Sequence, residues 1–237
     1  MSEQTAIITG AGGGIGRATA GELARLGFRV VLAGRTEATL QETDRLINVP
    51  GRTLIVRGDV ACPEHAQNIV TRTLERFGRI DVLVNSAGTA PLRDVEQTTP
   101  QLWRDVIETN LSGVFYLCRA CWPTFRRQQG GVIVNISSMA ARDPFGGFVA
   151  YGAAKAGLNN LGLSLAREGA AIGVRVHTIA PGAVETAMFR SILSPEQFPV
   201  ENTLSPADVA RVVAECAMPD GALRYTSGQV IWLNKRP

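Results

Sequence analysis

Thr9-Gly10-Ala11-Gly12-Gly13-Gly14-Ile15-Gly16 joins an apolar run of strand length, Ala6–Thr9, to Ile15–Leu26, where apolar residues recur at helical spacing. Glycines at a strand-to-helix turn let the backbone fold back tightly. They also bring helix N-terminal N–H groups against a pyrophosphate with no Cβ atoms in the way. Ordinary turns and close helix packing use glycine too, so the cluster takes its meaning from its place after a first strand. Counted from Gly10, the G-x-G-x-x-G pattern fails at its last place, Ile15, whereas Thr9-Gly10-x-x-x-Gly14-x-Gly16 fits.

Outward from this turn, short apolar runs recur at Arg29–Ala33, Thr53–Val56, Asp81–Val84, Val132–Ile136, Arg175–Ile179 and Gln229–Leu233. Between them lie segments of helical period, among them Glu64–Phe77, Pro100–Arg127, Tyr151–Glu168 and Pro206–Ala217. Strands apolar at nearly every position and separated by helices require a parallel sheet covered on both faces. The expected fold is therefore α/β, a doubly wound Rossmann-type sheet of about seven strands. The 237 residues, 45% hydrophobic and 19% charged, suit a single domain over 1–237. The formal charge of +3 comes from scattered basic residues, which argues against a nucleic-acid partner. Four cysteines, at 62, 118, 121 and 216, make no disulfide framework, and no stretch has the length of a membrane span. A cytoplasmic protein without membrane attachment is expected.

Tyr151 and Lys155 stand four apart in an expected helix, on one face and within reach of each other. A tyrosine normally holds its proton to about pH 10, and a neighbouring ammonium favours the phenolate. Ser138 lies at the end of the fifth strand, where its hydroxyl could bond a substrate oxygen; alternation turns Ser137 to the other face. Asp59-Val60 follows the third strand, Asn85-Ser86-Ala87-Gly88 the fourth, Asn110 falls in the next helix, and Pro181-Gly182 follows the sixth strand.

This ordered set, over residues 5 to about 233, resembles the short-chain dehydrogenase/reductase family in its simple branch. The resemblance implies that Tyr151 gives a proton to a carbonyl oxygen during reduction, with Ser138 orienting it. Lys155 would also hold the nicotinamide ribose, and Asn110 would anchor a water in the proton relay. It further implies that Thr9, Gly10, Gly14, Ile15 and Gly16 form the phosphate turn, that Asp59 holds the adenine amino group, and that Val60 helps through its backbone. Asn85, Ala87 and Gly88 would shape the cleft floor, Pro181, Gly182 and Val184 would complete it, and Thr186 would bind the nicotinamide carboxamide. Ser86 departs from the family's usual second asparagine, and the end at Pro237 lacks the Asp-Gly-Gly of many members, which weakens the expected subunit contact there. Ile172 stands where acyl-carrier reductases often have a basic residue.

After the second strand, Gly34 replaces the carboxylate usual in NAD sites, and Arg35 and Thr36 follow with groups suited to a 2′-phosphate, so the expected cofactor is NADP(H). Glu37 is the competing carboxylate. The expected activity is that of an oxidoreductase moving hydride between nicotinamide and a small to medium, largely apolar ketone or secondary alcohol, as a carbonyl reductase or 3-oxoacyl reductase does. The rival from another class is a non-catalytic NADP-sensing module, which would have no need of Ser138, Tyr151 and Lys155 in register. An extended-branch epimerase would need more chain after Pro181-Gly182. Residues 187–205, with Met188, Phe189, Ile192, Leu193 and Phe198, are expected to form a mobile lid. The family pairs its members through the helices at Pro100–Arg127 and Tyr151–Glu168, which implies a homo-oligomer, a tetramer. Cys118-x-x-Cys121 is expected to pack rather than bind metal, His65 and His177 match no ligand spacing, Trp122-Pro123 marks an end or kink of its helix, and Arg126-Arg127 a solvated helix end. No metal site is expected.

Overall fold

Seven runs of apolar residues form strands, all but the edge strand β7 contributing to the cores on both faces: β1 (Thr5–Thr9), β2 (Arg29–Gly34), β3 (Thr53–Arg57), β4 (Val82–Asn85), β5 (Gly131–Ile136), β6 (Val174–Pro181) and β7 (Val230–Leu233). The computed structural model describes residues 3–235, so the end at Pro237 lies outside the described residues. The strands make one parallel sheet in the order β3-β2-β1-β4-β5-β6-β7. One face is covered by α1 (Gly14–Arg25), α2 (Glu37–Ile47) and α8 (Pro206–Ala217), around Ile8, Leu23, Leu32, Leu40 and Val213. The other is covered by α3 (Pro63–Phe77), α5 (Gly113–Gln128) and α6 (Val149–Gly169), around Ile7, Ile69, Leu83, Leu117 and Leu158. The strand order reverses between β1 and β4, and the crevice beyond their carboxyl ends is where such sheets bind ligands.

The structure corrects one reading of the region before β5 and narrows another. The single helix expected over Pro100–Arg127 is two, α4 (Pro100–Ile107) and α5, joined by a wide π-type turn at Glu108–Ser112. Asn110 sits in that turn, fully buried; its Nδ2 donates to the Val106 and Thr89 carbonyls, both at 2.9 Å. A side chain that takes up main-chain partners within and beyond its own helix is a recognised cause of such a break. Trp122-Pro123 does not end α5, which runs on to Gln128. Pro123 and Arg119 are both exposed, so water can satisfy the carbonyl that the proline leaves without an amide partner.

His177 on β6 is fully buried, its Nδ1 paired with Thr226 Oγ1 at 3.0 Å and its Nε2 without a hydrogen-bond partner. Burial, and then the Arg175 guanidinium, push its pKa from 6.5 down to about 4. The folded protein therefore refuses a proton that the unfolded chain accepts. The stability this represents is complete above pH 6.5 and is lost as pH falls toward 4. Urea unfolding at pH 7 and pH 5 is expected to differ by about 2 kcal/mol from this group. His177→Gln should flatten that difference, and an unchanged slope in the variant would place the dependence elsewhere.

Candidate active site

Thr9, buried beneath the glycine turn, holds the two sides of the crevice together: its Oγ1 accepts from the Ser86 and Ala87 amides at 3.0 and 3.1 Å. Gly10 has φ +66°, and a Cβ there would lie 2.9 Å from Ala87 Cα, so this close approach requires glycine. A Cβ on Gly13 would meet nothing within 4 Å, no side chain caps α1, and no acid stands in its first turn. The helix thus presents uncapped N–H groups to open space, a cradle that fits a pyrophosphate.

Beyond the turn lies a cavity of about 410 Å³ lined by Gly10, Gly14, Ile15, Gly16, Ala87, Gly88 and Asn110 on one side. Ser138, Tyr151, Lys155, Pro181, Gly182, Val184 and Thr186 line the other. The structure therefore brings the expected catalytic residues and most of the expected cleft residues into one space. Ser138 follows β5, and its Oγ accepts from the Ala140 amide at 3.1 Å. Ser137 turns away, its hydroxyl donating to Asn159 Oδ1 at 2.6 Å. Tyr151 lies in the first turn of α6, its ring 5.1 Å from that of Phe148, which in turn stacks on Phe145 at 5.9 Å. Lys155 Nζ is 5.6 Å from the Tyr151 ring centroid and donates to the Ile136 carbonyl at 2.8 Å.

Burial raises the Tyr151 pKa, opposed by a hydrogen bond with Ser138, and burial lowers that of Lys155 to about 8. Lys155 Nζ is directed at a carbonyl, and desolvation holds the phenol as an acid. Thr186 caps the short α7 (Ala187–Arg190) by accepting from the Phe189 amide, and its Cγ2 would lie 3.1 Å from a Cβ on Gly14.

Six expected residues lie outside the cavity. Thr9 acts from beneath, as described. Asn85 is buried, its Nδ2 donating to Asn135 Oδ1 at 2.9 Å, and Val60 packs in the core, its carbonyl 2.7 Å from where a Gly113 Cβ would stand. Arg35, Thr36 and Asp59 stand at the carboxyl ends of β2 and β3; Arg35 Nη1 is 3.9 Å from Asp59 Oδ2, with 73% of its side chain exposed. Asn110 has both amide hydrogens engaged and its Oδ1 accepting from the Thr89 amide at 3.2 Å, so its amide cannot donate to a water. Sequence reasoning missed Met139 and Asp143 on the cavity wall, and Arg57, whose Nε donates to the Arg35 carbonyl at 3.1 Å. Neither wall residue belongs to a spaced motif; Arg57 could have been found from its place two residues before Asp59.

Cys118 and Cys121 are buried, and burial lifts their thiols, Cys118 to about 12, which suits packing rather than redox chemistry. Among the described residues no cluster of His, Cys, Asp and Glu could hold a metal, and no helix is long and apolar enough to cross a membrane.

A family model described as short chain dehydrogenase matches residues 4–197. The 3-oxoacyl-[acyl-carrier-protein] reductase FabG of Escherichia coli strain K12 is 33% identical over 235 residues, which cover 97% of this chain and 95% of that protein. The crystal structure of 3-ketoacyl-(acyl-carrier-protein) reductase from Brucella melitensis, complexed with NADH, superposes with a TM-score of 0.91 at 27% identity, covering 99% of this chain and 98% of that one. Actinorhodin polyketide ketoreductase with NADPH gives 0.91 at 29% identity, covering 98% and 96%.

Proposed function

This chain belongs to the short-chain dehydrogenase family, and on that premise we propose that it is an NADP(H)-dependent carbonyl reductase or alcohol dehydrogenase for small to medium, largely apolar substrates. The observation that carries this reading is the convergence of Ser138, Tyr151 and Lys155 in a cavity walled by Phe145, Phe148, Met188, Phe189, Ile192 and Leu193. The bound nicotinamide would supply or accept the hydride. Tyr151, held protonated by burial, would donate to the carbonyl oxygen, with the Ser138 hydroxyl as the second hydrogen-bonding group on that oxygen. Lys155, fixed by the Ile136 carbonyl, would hold the nicotinamide ribose, and Thr186 its carboxamide. The aromatic wall would exclude water from the reacting atoms. Gly10 to Gly16 would carry the pyrophosphate, Asp59 and Arg35 the adenosine end.

A panel of ketones and alcohols followed by NADPH absorbance tests this: apolar ketones should be turned over best, and polar sugars as the best substrates would count against it. A second reading, a 3-oxoacyl thioester as substrate, is favoured by the full-length likeness to the Escherichia coli reductase. Ile172 in place of a basic residue speaks against a carrier protein, and acyl thioesters in the same panel separate the two.

A homotetramer is part of the proposal. On the helices expected to pair, Val114, Leu117, Leu158 and Leu165 are buried in the chain's own core. Phe115 stays exposed, joined by Trp103, Val149 and Leu163. Light scattering should give a tetramer; a clean monomer at micromolar concentration would overturn it.

A further inference from the structure

Between β6 and α8 the chain makes an excursion with no helix longer than the single turn of α7 and the 3-10 turn Val200–Asn202. What gives it a fixed shape is Arg190. Its Nε and Nη2 donate to the two oxygens of Glu185 at 2.8 and 2.5 Å, a bidentate pair. Its Nη1 donates to the Phe198 carbonyl at 2.8 Å and the Leu193 carbonyl at 3.3 Å, and the guanidinium lies 5.1 Å from the Phe189 ring centroid. Glu185 Oε2 also accepts from Thr203 Oγ1 at 3.1 Å, while its amide donates to the Leu204 carbonyl. One guanidinium therefore ties the start, middle and end of the excursion. With 16% of the Arg190 side chain exposed and every anchor satisfied, it is unlike the solvated surface pairs that contribute little.

Neither Glu185 nor Arg190 lines the cavity, yet their neighbours do: Thr186, Met188 and Phe189 between them, Ile192 and Leu193 just beyond. We propose that Arg190, through Glu185, is a positioning residue that fixes the apolar wall of the substrate cavity and so sets its preference for bulky carbonyl substrates. A wall ordered before binding leaves the substrate no loop to order, whereas a released wall makes each bulky substrate bear that cost. A small ketone held only between Ser138 and Tyr151 would scarcely notice the difference. The proposal rests on the carbonyl-reducing reading, and the test separates the two.

Wild type, Arg190→Gln, Arg190→Lys and the reversal Glu185→Arg with Arg190→Glu are compared as full-length proteins, with acetone and benzylacetone as substrates and chymotrypsin as a probe of residues 187–205. Arg190→Gln should raise the benzylacetone KM about tenfold, a loss of about 1.4 kcal/mol, with the acetone KM and both kcat values within about twofold. Arg190→Lys should fall between, and the reversal should recover most of the loss. Cleavage after Leu193, whose scissile bond is the same in every variant, should quicken in Arg190→Gln and return toward the wild-type rate in the reversal. Equal KM changes for the two ketones, or a kcat loss accompanied by a lowered melting temperature, would overturn the positioning role. If wild type reduces neither ketone, the carbonyl reading falls, and the chymotrypsin comparison decides the tie by itself: equal cleavage rates would overturn it.

Discussion

Tyr151→Phe is expected to lower turnover by roughly 10²–10⁴-fold, the range of general acid catalysis, while cofactor affinity stays within about twofold. The variant keeps the ring, and with it the contacts to Phe148 and the position below Lys155 Nζ. Only the hydroxyl goes, and no other group stands ready to replace it. Ser138 is a weak acid whose oxygen already accepts from the Ala140 amide, and Lys155 directs its ammonium at the Ile136 carbonyl. Steady-state kinetics with fluorescence titration of the cofactor check both halves. A variant keeping more than about a tenth of wild-type turnover would contradict the assignment of Tyr151 as the acid.

The residues on which this rests were legible because they follow regular elements. Tyr151 and Lys155 need only a helix to share a face, Ser138 only a strand end, and the glycine turn only a strand before it and a helix after it. The strands themselves were legible because burial on two faces leaves their sequences apolar throughout. Helix α2 had no such signature: it buries only Leu40 and Thr43, so its apolar period is thin. The break at Glu108–Ser112 was hidden for the opposite reason. The period of Pro100–Arg127 runs on unbroken, and what interrupts the helix is a set of bonds from Asn110 to Thr89, a residue far away in sequence. Glu185 and Arg190 are five apart, a spacing of neither helix face nor strand face, and they meet because the excursion folds around them. Charge effects at the phenol were likewise out of reach, since they depend on how deeply Tyr151 and Lys155 are buried.

Arg35→Ala is expected to weaken NADPH binding roughly ten- to over a hundredfold and to leave NADH nearly untouched, since a hydrogen bond to a charged group contributes about 1.5–3 kcal/mol. The two solved relatives named above hold NADH in one case and NADPH in the other, so family likeness does not choose between the cofactors. The choice rests on local chemistry after β2. Gly34 offers no carboxylate to the ribose hydroxyls, and Glu37, the nearest alternative, begins α2 with its Oε1 accepting from Gln41 along the helix. Arg35 is mostly exposed, so its truncation removes little packing and the change reads as lost recognition. Its ionic neighbour Asp59 lies 3.9 Å away and would face a 2′-phosphate unscreened once the guanidinium is gone, which adds to the loss for NADPH alone. Raising the salt concentration should shrink the difference between the cofactors in the wild type, because an exposed charge pair is screened. Dissociation constants for both cofactors, with wild type and variant, decide the matter: tighter NADH binding by the wild type, or equal losses in Arg35→Ala, would sink the NADP(H) reading while leaving the carbonyl chemistry of Tyr151 intact.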